Sequence, residues 1–216
     1  MAQYKYRPVR FYLTCFAITW TFWIAAAVLS RTPNDNGLSI ILMLFGLIAP
    51  SATAIITVLT SGSKALKQDL KRKIVGFYRI KPLNILLAIL LFASVVVCSI
   101  LLSMLFGGSV RQFSFTEDFS FSVGGTSALM TILLASVIEE TAWRGYGEDA
   151  VGSYFSWFTE SIIFGSVWAL WHLPLFWIEG TYHYGLKELG VVYILNFLIS
   201  VIPMNFLTTW VYIKNN

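Results

Sequence analysis

The sequence predicts an all-α fold, a polytopic transmembrane helical bundle with about six spans. Hydrophobic residues make up 57% of the 216 residues, charged residues make up only 12%, and the mean hydropathy is +0.72. A soluble domain typically carries about 25% charged residues. Six apolar stretches reach the roughly 20 residues with which a helix crosses the hydrocarbon core of a bilayer. They lie at residues 9–30, 38–61, 84–106, 125–143, 156–178 and 190–213.

The first three stretches define an N-terminal unit, residues 1–124, with a basic loop at 62–83 between its second and third spans. For this loop we favour a solvated segment that only fixes topology over a short interfacial helix, for which Leu66 and Leu70 would supply an apolar side. The loop 107–123 alternates Phe with polar residues, which favours an aromatic anchor at the membrane interface. The remaining residues, 125–216, form the second unit.

The distribution of Lys and Arg predicts the orientation of the spans. With the N-terminus inside, twelve basic residues fall on the cytoplasmic side and only Arg31, Arg111 and Lys187 fall outside. This asymmetry places both termini of a multi-pass integral membrane protein in the cytoplasm, and we expect a bacterial plasma membrane. The formal net charge of +4 therefore reflects topology, and we expect the lipid bilayer, not a nucleic acid, as the partner.

Two groups of ionisable residues interrupt the apolar stretches of the second unit. The segment EETAWR (Glu139–Arg144) ends the fourth stretch, and His172 lies within the fifth. A charge near the bilayer centre costs about 2.5–3.5 kcal/mol on insertion scales, so such residues usually serve a function. Glu140 and Arg144 share a helix face and can pair, whereas Glu139 points about 100° away and stays free. A carboxylate and a histidine around one water can activate it, directly or through a metal.

A structural cluster that holds two helices together is the alternative to an active site. The second carboxylate argues against it, because one arginine pairs with one carboxylate and the other adds desolvation cost. In the fifth stretch, Phe164, Trp168 and His172 recur at helical spacing, and we expect the two aromatics to wall a substrate cleft. We expect His183 to be an exposed loop histidine, and we assign Glu160, at the start of the fifth span, no catalytic role.

These motifs resemble those of the CPBP intramembrane proteases, which include CAAX prenyl endopeptidases of the Rce1 type and bacterial proteins linked to bacteriocin processing and self-immunity. EETAWR fits the family motif EExxxR, and WALWH, ending at His172, fits FxxxH with Trp168 in place of the usual Phe. The resemblance covers roughly residues 125–213. It implies that 125–216 is a CPBP/CAAX-protease-like domain.

The resemblance also implies roles for these residues. Glu139 is expected to activate water, Glu140 and Arg144 to support it, and His172 to bind water or a metal. The family has been described both as zinc-dependent and as a metal-independent glutamate protease, so zinc held by Glu139 and His172 and a metal-free mechanism both stay open. The family carries a further His, usually followed four residues later by Asn, on a later span. Because the sequence ends at WVYIKNN, we expect this last motif-bearing helix to be missing.

The sequence therefore predicts an intramembrane endopeptidase that hydrolyses a membrane-associated peptide, either a prenylated CAAX-type peptide or a bacteriocin-related one. The main alternative is a non-catalytic bacteriocin self-immunity protein, which shares the resemblance but not the chemistry. A proton-coupled transporter that uses the same residues as a relay is less favoured, because transporters usually show paired repeats with broken helices and this sequence shows none.

Overall fold

A computed structural model describes residues 4–33, 35–76, 80–114 and 128–215, and these residues are almost entirely helical, with no strand among them. The predicted aromatic anchor at 107–123 lies largely outside the described residues. The helices run in chain order as α1 (Pro8–Leu29), α2 (Leu38–Thr60), α3 (Lys64–Val75), α4 (Pro82–Leu105), α5 (Ala128–Ala142), α6 (Glu148–Gly152), α7 (Trp157–Trp171), α8 (Tyr182–Leu189) and α9 (Val191–Asn215).

The predicted all-α membrane fold is confirmed. The predicted number of about six membrane spans is only approximate. Within the described residues, α1, α2, α4 and α9 are each long and apolar enough to cross a membrane. A fifth candidate consists of α7, a 3-10 turn (Leu173–Trp177) and α8, which is bent by 82° from α7. The helix in the remaining predicted stretch, α5, is described over 15 residues.

A proline inside α2 shows how the first two helices pack. Pro50 has no N–H, so the carbonyl of Gly46, four residues earlier, loses its helical partner. The hydroxyl of Thr19 in α1, which is fully buried, donates a hydrogen bond to this carbonyl at 3.0 Å. The same glycine lies against the Trp23 ring, where a larger side chain would collide. Neighbouring helices thus satisfy backbone groups that water cannot reach in a membrane.

The basic segment forms a helix, so the favoured solvated loop is wrong. Ser63 caps α3 by accepting a hydrogen bond from the Leu66 N–H at 3.2 Å. Leu66 and Leu70 are buried, with Leu70 against the backbone of Gly145. The apolar side of α3 therefore packs on the protein, and Lys73 pairs with Asp69 at 2.7 Å and with Asp149.

A cluster of buried aromatic rings joins α1 to the two segments that carry the motifs. The Trp171 ring lies 4.5 Å from the Trp23 ring and 5.4 Å from the Trp143 ring, measured between centroids. The Trp171 carbonyl, at the end of α7, accepts a hydrogen bond from Trp20 of α1 at 3.2 Å. These contacts place the C-terminal ends of α5 and α7 side by side. Further buried members are Phe11, Tyr12, Tyr146 and Phe164.

Candidate active site

The EETAWR segment spans a change in helix type. Glu139 and Glu140 lie in the last turn of α5, and a single π-helical turn, Trp143–Gly147, follows before α6. All five residues of this turn are buried. Such wide turns are rare and occur frequently at functional sites. The turn directs Trp143 and Arg144 to different neighbours, and the adjacent glutamates then meet different partners.

Arg144 makes the ion pair with Glu140 that the spacing predicts, with 3.1 Å between Nε and Oε2. It also pairs with Glu148 of α6, a residue that the sequence did not single out. From α9, Thr208 Oγ1 lies 2.5 Å from the Arg144 guanidinium and Asn205 Oδ1 lies 3.3 Å from it. Arg144 is only 8% exposed. It therefore ties the end of α5 to α6 and α9 through charged and polar contacts.

Glu139 makes no ion pair within the described part of the chain. Its Oε2 atom accepts hydrogen bonds from two indole N–H groups, that of Trp168 at 3.0 Å and that of Trp143 at 3.4 Å. The carboxylate is thus held by neutral donors, which leave its negative charge uncompensated. This is the environment in which a carboxylate remains available as a base.

Trp168 connects Glu139 to His172. Its indole donates to the carboxylate, and its backbone carbonyl lies 2.7 Å from His172 Nδ1. Because a carbonyl oxygen can only accept, Nδ1 carries the proton in this bond. Nε2 of the neutral ring then keeps a lone pair, which can accept a hydrogen bond from water. One residue therefore positions the carboxylate and selects the tautomer of the histidine.

Glu139, Trp168 and His172 lie on the wall of one cavity of about 670 Å³. Most of the other side chains around it are apolar, including Leu44, Leu47, Ile132, Met204 and Leu207. Trp168 thus lies where a cleft wall was expected. Phe164, the other expected wall residue, is fully buried behind it, stacked on the Trp168 ring and 5.0 Å from the Arg144 guanidinium. Phe164 supports the wall but does not line the cavity.

The side chains described here do not form a complete catalytic zinc site. Such a site takes three protein ligands and a water, and Glu139 and His172 supply two. Within the described ranges, no group of three His, Cys, Asp or Glu side chains is arranged to hold a metal ion.

His183 is the residue that the sequence interpretation misplaced. It was expected in an exposed loop, but it lies in α8, with its ring 5.6 Å from that of His172 and nearly parallel to it. Thr181 caps α8 by accepting a hydrogen bond from the Tyr184 N–H at 3.0 Å. A capping threonine followed by LKEL was the available sign of a helix. Glu160 is in the first turn of α7, as expected, but is buried.

The fold and these contacts define a polytopic membrane protein with a carboxylate–histidine site on an apolar cavity. Residues 123–216 match the family described as type II CAAX prenyl endopeptidase, Rce1-like. A relative named CAAX prenyl protease 2, from Methanococcus maripaludis, is 38% identical over 215 residues, which cover this whole chain and 79% of the relative. The chain belongs to the Rce1-like family of CAAX prenyl endopeptidases, and the resemblance of its motifs to that family is confirmed.

Proposed function

We propose that the protein is an intramembrane endopeptidase that cleaves a prenylated CAAX-type peptide. One observation carries this proposal: Glu139 and His172 share the wall of an apolar cavity and are joined through Trp168. The apolar wall suits a lipid chain, because burial contributes about 25 cal/mol per Å² of apolar surface. The printed name of the Methanococcus relative agrees with this substrate class.

In the proposed reaction, water lies between Glu139 and His172. Glu139 takes a proton from the water, whose oxygen forms a bond to the scissile carbonyl carbon while the C=O electron pair moves to the carbonyl oxygen. His172 Nε2 accepts a hydrogen bond from the same water and orients it. When the intermediate collapses, the C–N bond breaks and the proton on Glu139 passes to the leaving amine. Glu140 and Arg144 position the end of α5.

The test uses the protein expressed from its full reading frame, purified and reconstituted in liposomes with a fluorescence-quenched farnesylated CAAX peptide. Glu139→Gln and His172→Gln should each abolish cleavage without lowering the thermal unfolding temperature. Glu188→Gln is the matched control, because Glu188 is exposed and its one ion pair among the described residues is with Lys187 at 3.0 Å. Cleavage at the wild-type rate by the Glu139 and His172 variants would reject the proposal. Peptide binding without cleavage by the wild-type protein would instead favour the non-catalytic self-immunity function.

The dependence of activity on zinc stays a prediction, and removal of the metal with a chelator would test it. The purified enzyme is treated with 1,10-phenanthroline and then supplied with Zn²⁺. Retained activity supports the metal-free reaction above. Activity that is lost and then restored by Zn²⁺ would add a metal to Glu139 and His172, with its third ligand from outside the described residues.

We also propose the division at residues 124 and 125 and a cytoplasmic location for both termini in a bacterial plasma membrane. The basic helix α3 and the N-terminal segment support one common side, because Tyr4, Leu66 and Asp69 line one cavity. Labelling of Lys5→Cys and Arg111→Cys in intact cells with an impermeant maleimide tests the orientation, with Cys98, which is exposed, replaced by Ser. Only Arg111→Cys should react.

A further inference from the structure

A second cavity, of about 550 Å³, lies along three of the helices that wall the apolar cavity of the candidate site. On α5 the boundary between the two cavities falls between Glu139 and Glu140, and on α9 it falls between Leu207 and Thr208. From α4, Phe92 lines the second cavity. The two cavities therefore follow one another along the same helices, and the second one ends at the basic helix α3.

The wall of the second cavity is rich in positive charge. Arg72, Lys73 and Arg144 line it, and Glu140 is the one carboxylate in the described part of this wall. The side chains of Lys73 and Arg144 are only 8% and 9% exposed and are engaged in the ion pairs described above. The Arg72 side chain is 49% exposed and lies 3.9 Å from Asp69. A carboxylate from a ligand in the cavity can therefore reach the guanidinium of Arg72.

The substrate of the proposed function carries such a carboxylate close to its lipid. A CAAX-type peptide ends three residues after the lipid-bearing cysteine, and three extended residues span about 10 Å. When the lipid lies in the apolar cavity, the residues that follow the cysteine can extend into the second cavity, towards α3. The volume of this cavity is within the range of about 300–1,000 Å³ that is usual for sites of small ligands.

We propose that the second cavity binds the last three residues of the substrate and that Arg72 binds their terminal carboxylate. This inference rests on the proposed endopeptidase function. A guanidinium can bind a carboxylate through two parallel N–H···O hydrogen bonds, which are stronger than hydrogen bonds between neutral groups. Arg72 would thus determine specificity, because only a peptide that ends at this distance from its lipid presents a carboxylate there.

The test compares a farnesylated CAAX peptide that ends in a carboxylate with the same peptide ending in an amide, using the protein in liposomes. With the wild-type protein, the amide should raise KM by about tenfold, since a bond to a charged group is lost. Arg72→Gln should raise KM for the carboxylate peptide by a similar factor and leave KM for the amide peptide and kcat nearly unchanged. Arg72→Lys keeps the charge but not the paired geometry, so its KM should be intermediate.

Lys71→Gln is the matched control, because it removes a positive charge from an exposed position of the same helix. It should keep the tenfold preference for the carboxylate peptide. The Kd of each peptide for the Glu139→Gln variant, measured by fluorescence anisotropy, repeats the comparison without cleavage and should show the same preference.

The outcomes separate this role from the function on which it rests. Equal KM values, or equal Kd values, for the two peptides would overturn the proposal. An equal rise in KM for both peptides in Arg72→Gln would also overturn it, because Arg72 would then act without contacting the carboxylate. Each of these results leaves cleavage by Glu139 intact. A wild-type protein that binds the carboxylate peptide more tightly but cleaves neither peptide would instead reject the endopeptidase function and retain the role of Arg72.

Discussion

Arg144 should be the charged residue on which the stability of the second unit depends most. It pairs with Glu148, and the two side chains are only 9% and 5% exposed. Replacing Arg144 with Met removes the cation but leaves the buried carboxylate without compensation. Breaking a buried ion pair in this way costs about 3–5 kcal/mol. At about 2–4 °C per kcal/mol for a chain of this length, the unfolding temperature should fall by roughly 6–20 °C.

Thermal unfolding in detergent micelles, followed by tryptophan fluorescence, measures this change. The double variant Arg144→Met with Glu148→Gln removes both charges. Its unfolding temperature should regain at least half of the decrease caused by Arg144→Met, because an uncharged pair of similar volume is tolerated. Glu140→Gln is the matched control. The Glu140 side chain is 41% exposed, and exposed ion pairs contribute only about 0–1 kcal/mol, so this variant should unfold close to the wild type.

Two results would refute the reasoning. An unfolding temperature for Arg144→Met within about 2 °C of the wild type would mean that the ion pair adds less than about 1 kcal/mol. A double variant less stable than Arg144→Met would mean that Glu148 stabilises the fold through contacts other than Arg144. The first result would assign the buried ion pair of Arg144 to a function other than stability, and the second would assign the stabilising contacts to Glu148.

Two further predictions concern single hydrogen bonds. Trp168→Phe removes the N–H that donates to the carboxylate of Glu139, the proposed base, at 3.0 Å. A hydrogen bond to a charged group contributes about 1.5–3 kcal/mol, so kcat with the farnesylated peptide should fall by roughly tenfold or more. Trp210→Phe, at an exposed position, should leave kcat unchanged. An unchanged kcat would show that the indole donor is dispensable. Thr19→Val removes the buried donor to the α2 carbonyl freed by the proline and should destabilise the protein by about 1–3 kcal/mol in thermal unfolding. Thr21→Val is its control, because Thr21 is exposed and its side chain donates to the Ala17 carbonyl of its own helix. Equal effects of the two substitutions would contradict this explanation.

The membrane helices were predictable from the sequence, because the length and hydropathy of a segment are enough to identify it as a membrane-spanning helix. The two amphipathic helices were not. In α3, basic residues outnumber the apolar residues Leu66 and Leu70. Their burial, with Leu70 against Gly145, depends on the tertiary fold and cannot be read from the local sequence. In α8, the eight residues Tyr182–Leu189 are too few to form a stable isolated helix. Contacts with the α7 end and α9 stabilise it.

Part of the candidate site also followed from local geometry. The spacing of Glu140 and Arg144 predicts their ion pair, and the 100° offset of Glu139 predicts its separation from that pair. The contacts that these residues make with other helices could not be predicted from spacing along one helix. That the Trp168 indole would donate to Glu139, or that His183 would stack on His172, depends on how α5, α7 and α8 meet. Trp168 was expected only to form a wall, because an aromatic stripe carries no information about its N–H.

The two adjacent glutamates have different partners, which suits the different roles proposed for them. If Glu139 were paired with Arg144, the cation would stabilise its ionised form and weaken it as a base. Glu140 and Glu148 instead occupy Arg144, and Glu139 is left to the neutral indoles of Trp143 and Trp168. The ion pairs of Arg144 with Glu140 and Glu148 therefore also keep the cation away from the proposed base. We infer that the stability of the bundle and the proposed reactivity of Glu139 depend on the same two ion pairs of Arg144.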